Sequence, residues 1–374
     1  MKESIGSRGF DRRGFLKTLG LISAGMLARP VAGVAAATGT SSRVGVLVPR
    51  SSLYPWLGES FVAGLRLGVA PSATELIVED TGTRPGLAVD KCRRLVRDIK
   101  SDLVIALANA EAADELAPLL RDSRAPLILA TAGVGVHDPQ TDSAIRVASL
   151  NVWQSHWALG EWAARHLGSR AMVAASMHES GYDAHYAFQM GFESAGGEVI
   201  AARVTDAPLN SGGVHAFLSE VDREQPDVVF ANYSGHDAVP FMRAWAKTRH
   251  RPALVGSSFL ADENVLPLLG DAALGVRSVA AWSPDSTDAL RKAGRTPDAF
   301  AVLGHECGVL VAEWAAYGRL PVHASGSRPL YLREVTRRGN ETVTELPRVD
   351  ESHERILALQ SSVRTGWINT YMSV

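Results

Sequence analysis

The sequence predicts an α/β protein of two doubly wound, Rossmann-like lobes joined by a multi-crossing hinge. From Arg43 onward, short β-branched or aliphatic runs alternate with amphipathic patterns, the rhythm of a parallel sheet covered by helices on both faces. That rhythm falters at residues 134–148 and then resumes as a second run of similar units. At 374 residues the chain also exceeds what a single hydrophobic core usually holds.

The first run offers strands at residues 44–48, 75–78, 103–107 and 127–129. The second offers strands at 172–176, 199–204, 228–232, 253–256 and 276–281. Between them fall amphipathic helices at 88–99, 112–121, 153–167, 182–194, 214–224 and 239–248. In the first of these Val89, Cys92, Leu95, Val96 and Ile99 recur at three and four, as one buried helix face requires. Gly135, Pro139 and short polar residues interrupt the pattern, and the first crossing between lobes is expected near residues 146–151. A second break at 282–287 precedes a long helix at 298–317, a strand at 330–335 and a polar tail. The expected division is a leader over 1–37, the first part of lobe one over 38–148, and lobe two over 149–281. Residues 282–374 are expected to return to lobe one and supply the hinge and tail.

The leader carries Asp11-Arg12-Arg13-Gly14-Phe15-Leu16-Lys17 ahead of an uncharged stretch at 18–28 and an alanine-rich run. Paired arginines followed by a bulky apolar residue mark a twin-arginine export signal, and a stretch of about 11 residues is too short for a membrane span of about 20. Ala35-Ala36-Ala37 offers a cleavage site, and no Cys nearby suggests a lipid anchor. Arg12 and Arg13 are therefore expected to be read by the twin-arginine translocon, which places the mature protein in the periplasm.

Without residues 1–37 the chain keeps 32 basic and 38 acidic side chains, a net charge of −6. That balance argues against a nucleic-acid partner, which would demand a basic surface. Beyond the leader no long uninterrupted apolar segment is evident, so a soluble mature protein is expected. Cys92 and Cys307 allow at most one bridge, and two buried free thiols are the simpler expectation.

The ordered motifs then resemble the type I periplasmic binding proteins of the branched-chain amino acid (Leu/Ile/Val) and amide class. Val44-Gly45-Val46-Leu47-Val48-Pro49 with Tyr54 and Leu57-Gly58 resembles the family's first strand and helix start. Glu79-Asp80 with Pro85 resembles its acidic turn, and Leu127-Ile128-Leu129-Ala130-Thr131-Ala132 its Pro-Ser-Ala-Thr type loop. Gly181-Tyr182 with Phe188, Gly191-Phe192 and Gly196-Gly197-Glu198-Val199 is similar to its second-lobe signature. Pro226-Asp227-Val228-Val229-Phe230 and Pro297-Asp298-Ala299-Phe300 extend the likeness over about 280 residues. The resemblance implies two lobes closing on a small ligand, which the family's importers pass to a permease and ATPase in the inner membrane.

In open α/β sheets a ligand lies beyond the carboxyl ends of the strands. By that rule the candidates in lobe one are Tyr54, Trp56, Asn109, Ala110, Glu111, Thr131 and Ala132, with Gly133 beside them. The resemblance implies that hydroxyls and free helix-start N–H groups here receive a ligand carboxylate. In lobe two Tyr182 matches the family's aromatic clamp, and Tyr233, His236, Asp237, Ser258 and Phe259 follow the later strands. Two departures stand out. Ser258-Phe259 occupies the place where amino-acid receptors of the class carry an acid for the ligand ammonium, and Gly133 replaces a Thr. Glu111 or Asp237 could replace the acid; the simpler expectation is an aromatic or short apolar carboxylate without an amine.

Catalytic and metal readings find little support. His178-Glu179 and His185 suggest a metal site, but the histidines are seven apart, whereas HExxH needs them four apart on one helical face. His305-Glu306-Cys307 are adjacent and diverge on a helix, with Cys307 expected to face the core beside Val311. No nucleophile elbow, P-loop or dinucleotide fingerprint is present, and no cofactor or metal is implied. Trp153, Trp157 and Trp162 have helical spacing and are expected to pack rather than stack on sugars. The expected role is that of an exported substrate-binding protein. The alternatives are a ligand sensor of the same fold that signals to a membrane receptor, and a periplasmic enzyme.

Overall fold

The computed structural model describes residues 42–50, 55–69, 74–82, 85–108, 110–133, 145–179, 184–205, 211–282, 284–320 and 329–349. The leader, with Arg12 and Arg13, lies outside these, as do Tyr54, Asn109 and Tyr182. The described residues belong to one compact unit, within which the strands make two sheets.

The first sheet is five-stranded and parallel, in the order β2-β1-β3-β4-β5. It consists of β1 (Ser42–Val48), β2 (Thr74–Asp80), β3 (Leu103–Leu107), β4 (Leu127–Thr131) and β5 (Ile145–Ser149). Helices α1 (Pro55–Val69), α2 (Pro85–Arg97) and α3 (Ala110–Ser123) connect its first four strands. Its central strands are apolar at nearly every position because both faces are covered. Alternate residues go to opposite cores: Val44, Val46, Val48, Leu103, Ile105 and Leu107 to one, and Leu47, Val104 and Ala106 to the other. The predicted face of α2 is realised, with Cys92, Leu95 and Val96 buried in the second core.

The second sheet has the order β12-β11-β10-β9-β8-β6-β7. Strands β6 (Arg170–Ser176), β7 (Glu198–Thr205), β8 (Val228–Asn232), β9 (Ala253–Gly256) and β10 (Arg277–Ala280) are parallel. A hairpin of β11 (Leu330–Thr336) and β12 (Gly339–Leu346) adds antiparallel to β10. Helices α4 (Val152–His166), α5 (Ala184–Ser194), α6 (Ser211–Glu224), α7 (Gly235–Trp245) and the short α8 (Leu266–Leu269) accompany this sheet. The same alternation sends Met172, Ala174, Val229 and Ala231 to one core, and Ala171, Val173, Val228 and Phe230 to the other. Trp153 and Trp157 stack in the latter with ring centroids 5.5 Å apart, so their spacing serves packing.

The two lobes repeat one device. In lobe one Asp102 accepts from the N–H of Arg43 at 2.9 Å, just before β3, and the preceding Lys100 has φ 57°. In lobe two Asp227 accepts from the N–H groups of Ser169 and Arg170 at 2.9 and 3.0 Å, just before β8, and Gln225 has φ 48°. Each carboxylate closes the end of a sheet by satisfying donors at the start of the neighbouring strand.

Residues 282–374 differ from the sequence expectation in part. Here α9 (Pro284–Lys292) and α10 (Ala299–Tyr317) follow, with Leu290 and much of α10 in the core of the first sheet. The hairpin β11–β12, by contrast, extends the second sheet instead of returning to the first. Two segments read as irregular are strands: β5 lies in the falter, and β12 occupies the polar tail. Helix α10 has the length and composition of a membrane span, yet half of it is buried inside the protein. It lies backbone to backbone on α1: a Cβ on Gly304 would overlap the carbonyl oxygen of Phe61, and one on Gly64 that of Ala301. Gly68 and Gly308 meet in the same way one turn further on. Cys307 is buried beside Val311 in this core, Cys92 in the other, and neither is in a disulfide.

Candidate functional site

The described candidates follow the carboxyl ends of the parallel strands. Beyond β1, Asp80 fixes the chain by accepting from the N–H groups of Arg50 and Gly82, both at 2.9 Å. Its neighbour Glu79 pairs with Lys91 at 2.7 Å and with Arg94, so the acidic turn serves structure. Trp56, in the first turn of α1, is half-buried against the first core. Ala110 and Glu111 lie in the first turn of α3, where unpaired N–H groups gather.

The loop after β4 is more fully built. Thr131 is half-buried and its Oγ1 accepts from the N–H of Gly133 at 3.3 Å, while Ala132 is buried. Gly133 has φ +70°, and a Cβ there would overlap the Ser149 hydroxyl, which accepts from the N–H of Asn151 at 3.0 Å. The sequence reading took Gly133 as a lost hydroxyl. Ser149, at the end of the unforeseen β5, sets one close beside it.

In the second lobe the structure brings together residues that spacing alone did not. After β6 a single 3-10 turn, Met177–Glu179, places Glu179 wholly inside the protein. Its carboxyl receives the Ser234 hydroxyl, its backbone carbonyl accepts from Asn232 Nδ2 at 3.1 Å, and its N–H donates to Ser176 Oγ at 3.2 Å. Burial, opposed by the Ser234 hydrogen bond and reinforced by nearby Asp237, pushes the Glu179 carboxyl up to about 8. A carboxyl raised that far is largely protonated at neutral pH. Ser234 is the N-cap of α7, but its hydroxyl goes to Glu179 and not to the helix N–H groups. Spacing alone weighs Glu179 only beside the two histidines; its signal is an acid three residues past the end of an apolar strand.

Tyr233 points into the core of the second sheet that holds Met172 and Val229. It is fully buried, stacks on Phe241 with centroids 4.3 Å apart, and its hydroxyl meets Thr205 Oγ1 at 3.3 Å. Burial raises its phenol well above the usual value. His236 and Asp237 occupy the first turn of α7, with Asp237 buried. After β9, Ser258 and Phe259 are both buried, and Phe259 stacks on Phe300 in the core of the first sheet. Three residues later Asp262 is wholly buried and accepts from the N–H of Ala299 at 3.1 Å. Burial and the nearby Asp298 raise its carboxyl, and burial raises Asp298 as well. Among the described residues no group of three His, Cys, Asp or Glu side chains could hold a metal ion.

Two parallel α/β sheets of like construction, each with polar loops at its carboxyl ends, define a two-lobed binding protein of type I architecture. The chain belongs to the periplasmic binding protein family, whose model matches residues 41–302. It is 24% identical over 246 residues to the "Leu/Ile/Val-binding protein homolog 6" of Brucella melitensis. That alignment covers 63% of this chain and spans only 62% of the Brucella protein's length. Among solved structures it is similar to an ABC transporter substrate-binding protein from Sphaerobacter thermophilus, with a TM-score of 0.72 at 24% identity. There the match covers 83% of this chain and 98% of the other. A solute-binding protein of an R. palustris ABC transporter in complex with benzoate matches with a TM-score of 0.66 at 21% identity, over 84% and 98% of the two chains. The sequence resemblance and the comparisons agree on family and fold.

Proposed function

We propose that this chain is the exported substrate-binding protein of an ABC importer. It captures a small organic carboxylate between its lobes and presents it to a permease with its ATPase. The observation that carries the reading is the family match running unbroken from β1 in the first lobe into α10 past the second. Export would use the twin-arginine route through Arg12 and Arg13, giving a periplasmic protein.

The ligand carboxylate would be received by the Thr131 hydroxyl and the free N–H groups at the start of α3, with Tyr182 closing from the second lobe. A ligand without an amine agrees with two observations. The positions directly after β9 are Ser257, Ser258 and Phe259, and a solved relative of the same fold holds benzoate. Asp237, buried in the first turn of α7, supports a second reading, an amino-acid ligand whose ammonium it meets.

A thermal-shift screen separates the two. A ligand at a hundredfold excess over its dissociation constant stabilises by about 2.7 kcal/mol. Benzoates or short carboxylates shifting the transition, with leucine, isoleucine and valine inert, supports the first reading. A shift with the amino acids alone selects the second, and no shift with either class counts against an importer's receptor.

A further inference from the structure

Away from the strand ends just described, a cavity of about 340 Å³ lies between α9 and the β10–β11–β12 end of the second sheet. Its wall includes Glu263, Trp282, Arg291, Arg333, Arg338 and Asn340. The volume falls within the range of small-molecule sites. Leu290 ties α9 into the core of the first sheet, whereas Arg333 and Asn340 stand on strands of the second. An occupant would therefore touch both lobes.

Arg333 is the unusual member. It is only 6% exposed, its guanidinium lies 4.5 Å from the centre of the Trp282 ring, and one Nη donates to Ser278 Oγ at a long 3.4 Å. Its Nε is buried and has no hydrogen-bond partner. A guanidinium carries five donors in a planar fork, and leaving a buried charge so poorly bonded is costly. The acids of the wall are shared with other cations, Glu263 acting on Arg333 and Arg291 alike. Glu263 and Asp288 pair with Arg291 at 3.5 and 3.8 Å, and Glu341 with Arg338 at 2.7 Å. Asp262, which also acts on Arg333, accepts from the N–H groups of Ala299 and Glu263 at 3.1 and 2.9 Å, and its raised pKa lessens its charge. Asn340 completes the pattern. Its Nδ2 donates to the Ala261 carbonyl at 2.8 Å, while its Oδ1 is buried without a donor.

We propose that this cavity is a second binding site, taking a small hydroxycarboxylate with its carboxylate on the Arg333 fork and its hydroxyl on Asn340 Oδ1. The planar fork suits a carboxylate, and Trp282 with Tyr331 supplies flat walls for an unsaturated or aromatic body. The site is independent of the ligand assigned to the strand ends. Because it spans α9 and the second sheet, occupancy would bias whichever arrangement of the lobes keeps the cavity intact.

Hydrogen exchange on the full-length chain with 4-hydroxybenzoate tests this, with 4-hydroxybenzamide as the uncharged control. The acid is expected to slow exchange over residues 330–346, and the amide is not. Arg333→Met should abolish that slowing, and Asn340→Ala should weaken the apparent affinity about tenfold, each leaving any slowing at 131–133 and 232–237 intact. Slowing confined to 131–133 and 232–237, no slowing at 330–346, equal slowing by the amide, or slowing unchanged in Arg333→Met overturns the second site. Should Arg333→Met fail to fold, as judged by circular dichroism, Asn340→Ala decides: an undiminished response overturns the proposal and a tenfold loss supports it.

Discussion

Phe259 lies flat against Phe300, with ring centroids 5.7 Å apart and planes within 7°. One residue follows β9 of the second sheet, and the other is the second residue of α10 in the core of the first. The pair therefore fastens the loop after β9 to the opposite lobe. Deleting it should leave a cavity: Phe259→Ala is expected to cost about 3–5 kcal/mol of unfolding free energy, read as a lower urea midpoint. A loss below 1 kcal/mol, accompanied by weaker ligand binding, would return Phe259 to the ligand site.

Glu179 predicts a pH dependence of stability. Its carboxyl titrates near 8 in the folded protein, against about 4.5 as an ordinary Glu, so between those values the folded state holds a proton that the unfolded state has lost. Stability therefore falls as pH rises through this window, by at most about 1.4 kcal/mol per pH unit from this group. Asp262 and Asp298, also raised, act in the same direction. Denaturation at pH 5, 6, 7 and 8 should show Glu179→Gln with a shallower decline than the parent. Parallel declines would mean that Glu179 is ionised throughout.

The contact between α1 and α10 predicts a sharp contrast between two glycines. Gly304→Ala would drive a methyl into the Phe61 carbonyl and should cost about 2–4 kcal/mol. Gly86, in the first turn of α2, has nothing within 4 Å of an added Cβ, and Gly86→Ala should stabilise by about 0.4–1 kcal/mol. Thermal melting of both variants checks the pair; a neutral Gly304→Ala would show that the helices can separate cheaply.

Thr131 should matter to affinity more than to folding. Loss of one hydroxyl hydrogen bond is worth about 1 kcal/mol, so Thr131→Ala should weaken binding of the ligand found by the screen about fivefold, with an unaltered melting temperature. Calorimetric titration decides. An unchanged dissociation constant would remove Thr131 from the site.

Export is tested directly. Replacing Arg12 and Arg13 together with Lys should leave precursor in the cytoplasm, as seen by cell fractionation. Unchanged export would dismiss the twin-arginine assignment.

Most of the architecture was legible because buried parallel strands are unbroken apolar runs: residues 103–107, 228–232 and 253–256 coincide with β3, β8 and β9. Of the four edge strands in the described sheets, β2 and β7 were legible at 75–78 and 199–204, and two were not. β5 and β12 are half-exposed, so their sequences, Ile145-Arg146-Val147-Ala148-Ser149 and Gly339-Asn340-Glu341-Thr342-Val343-Thr344-Glu345-Leu346, carry the polarity of loops. The site was less legible because the strand-end rule gives a position but no direction. Tyr233 and Phe259 occupy expected positions, yet their rings turn into cores, whereas Glu179 depends on a hydroxyl 55 residues away. Such pairings arise from the fold and leave no periodic trace.

The seating of α1 on α10 has a mechanical consequence. Helices that exchange motion by shear need a cushion of side chains that can re-pack as they slide, and the four glycines leave none at this seam. The pair is expected to travel as one plate. Any opening of the molecule is then expected as a swivel where the chain passes between the two sheets, near Leu150 and Trp282, which makes those short stretches of chain the bearings of the whole.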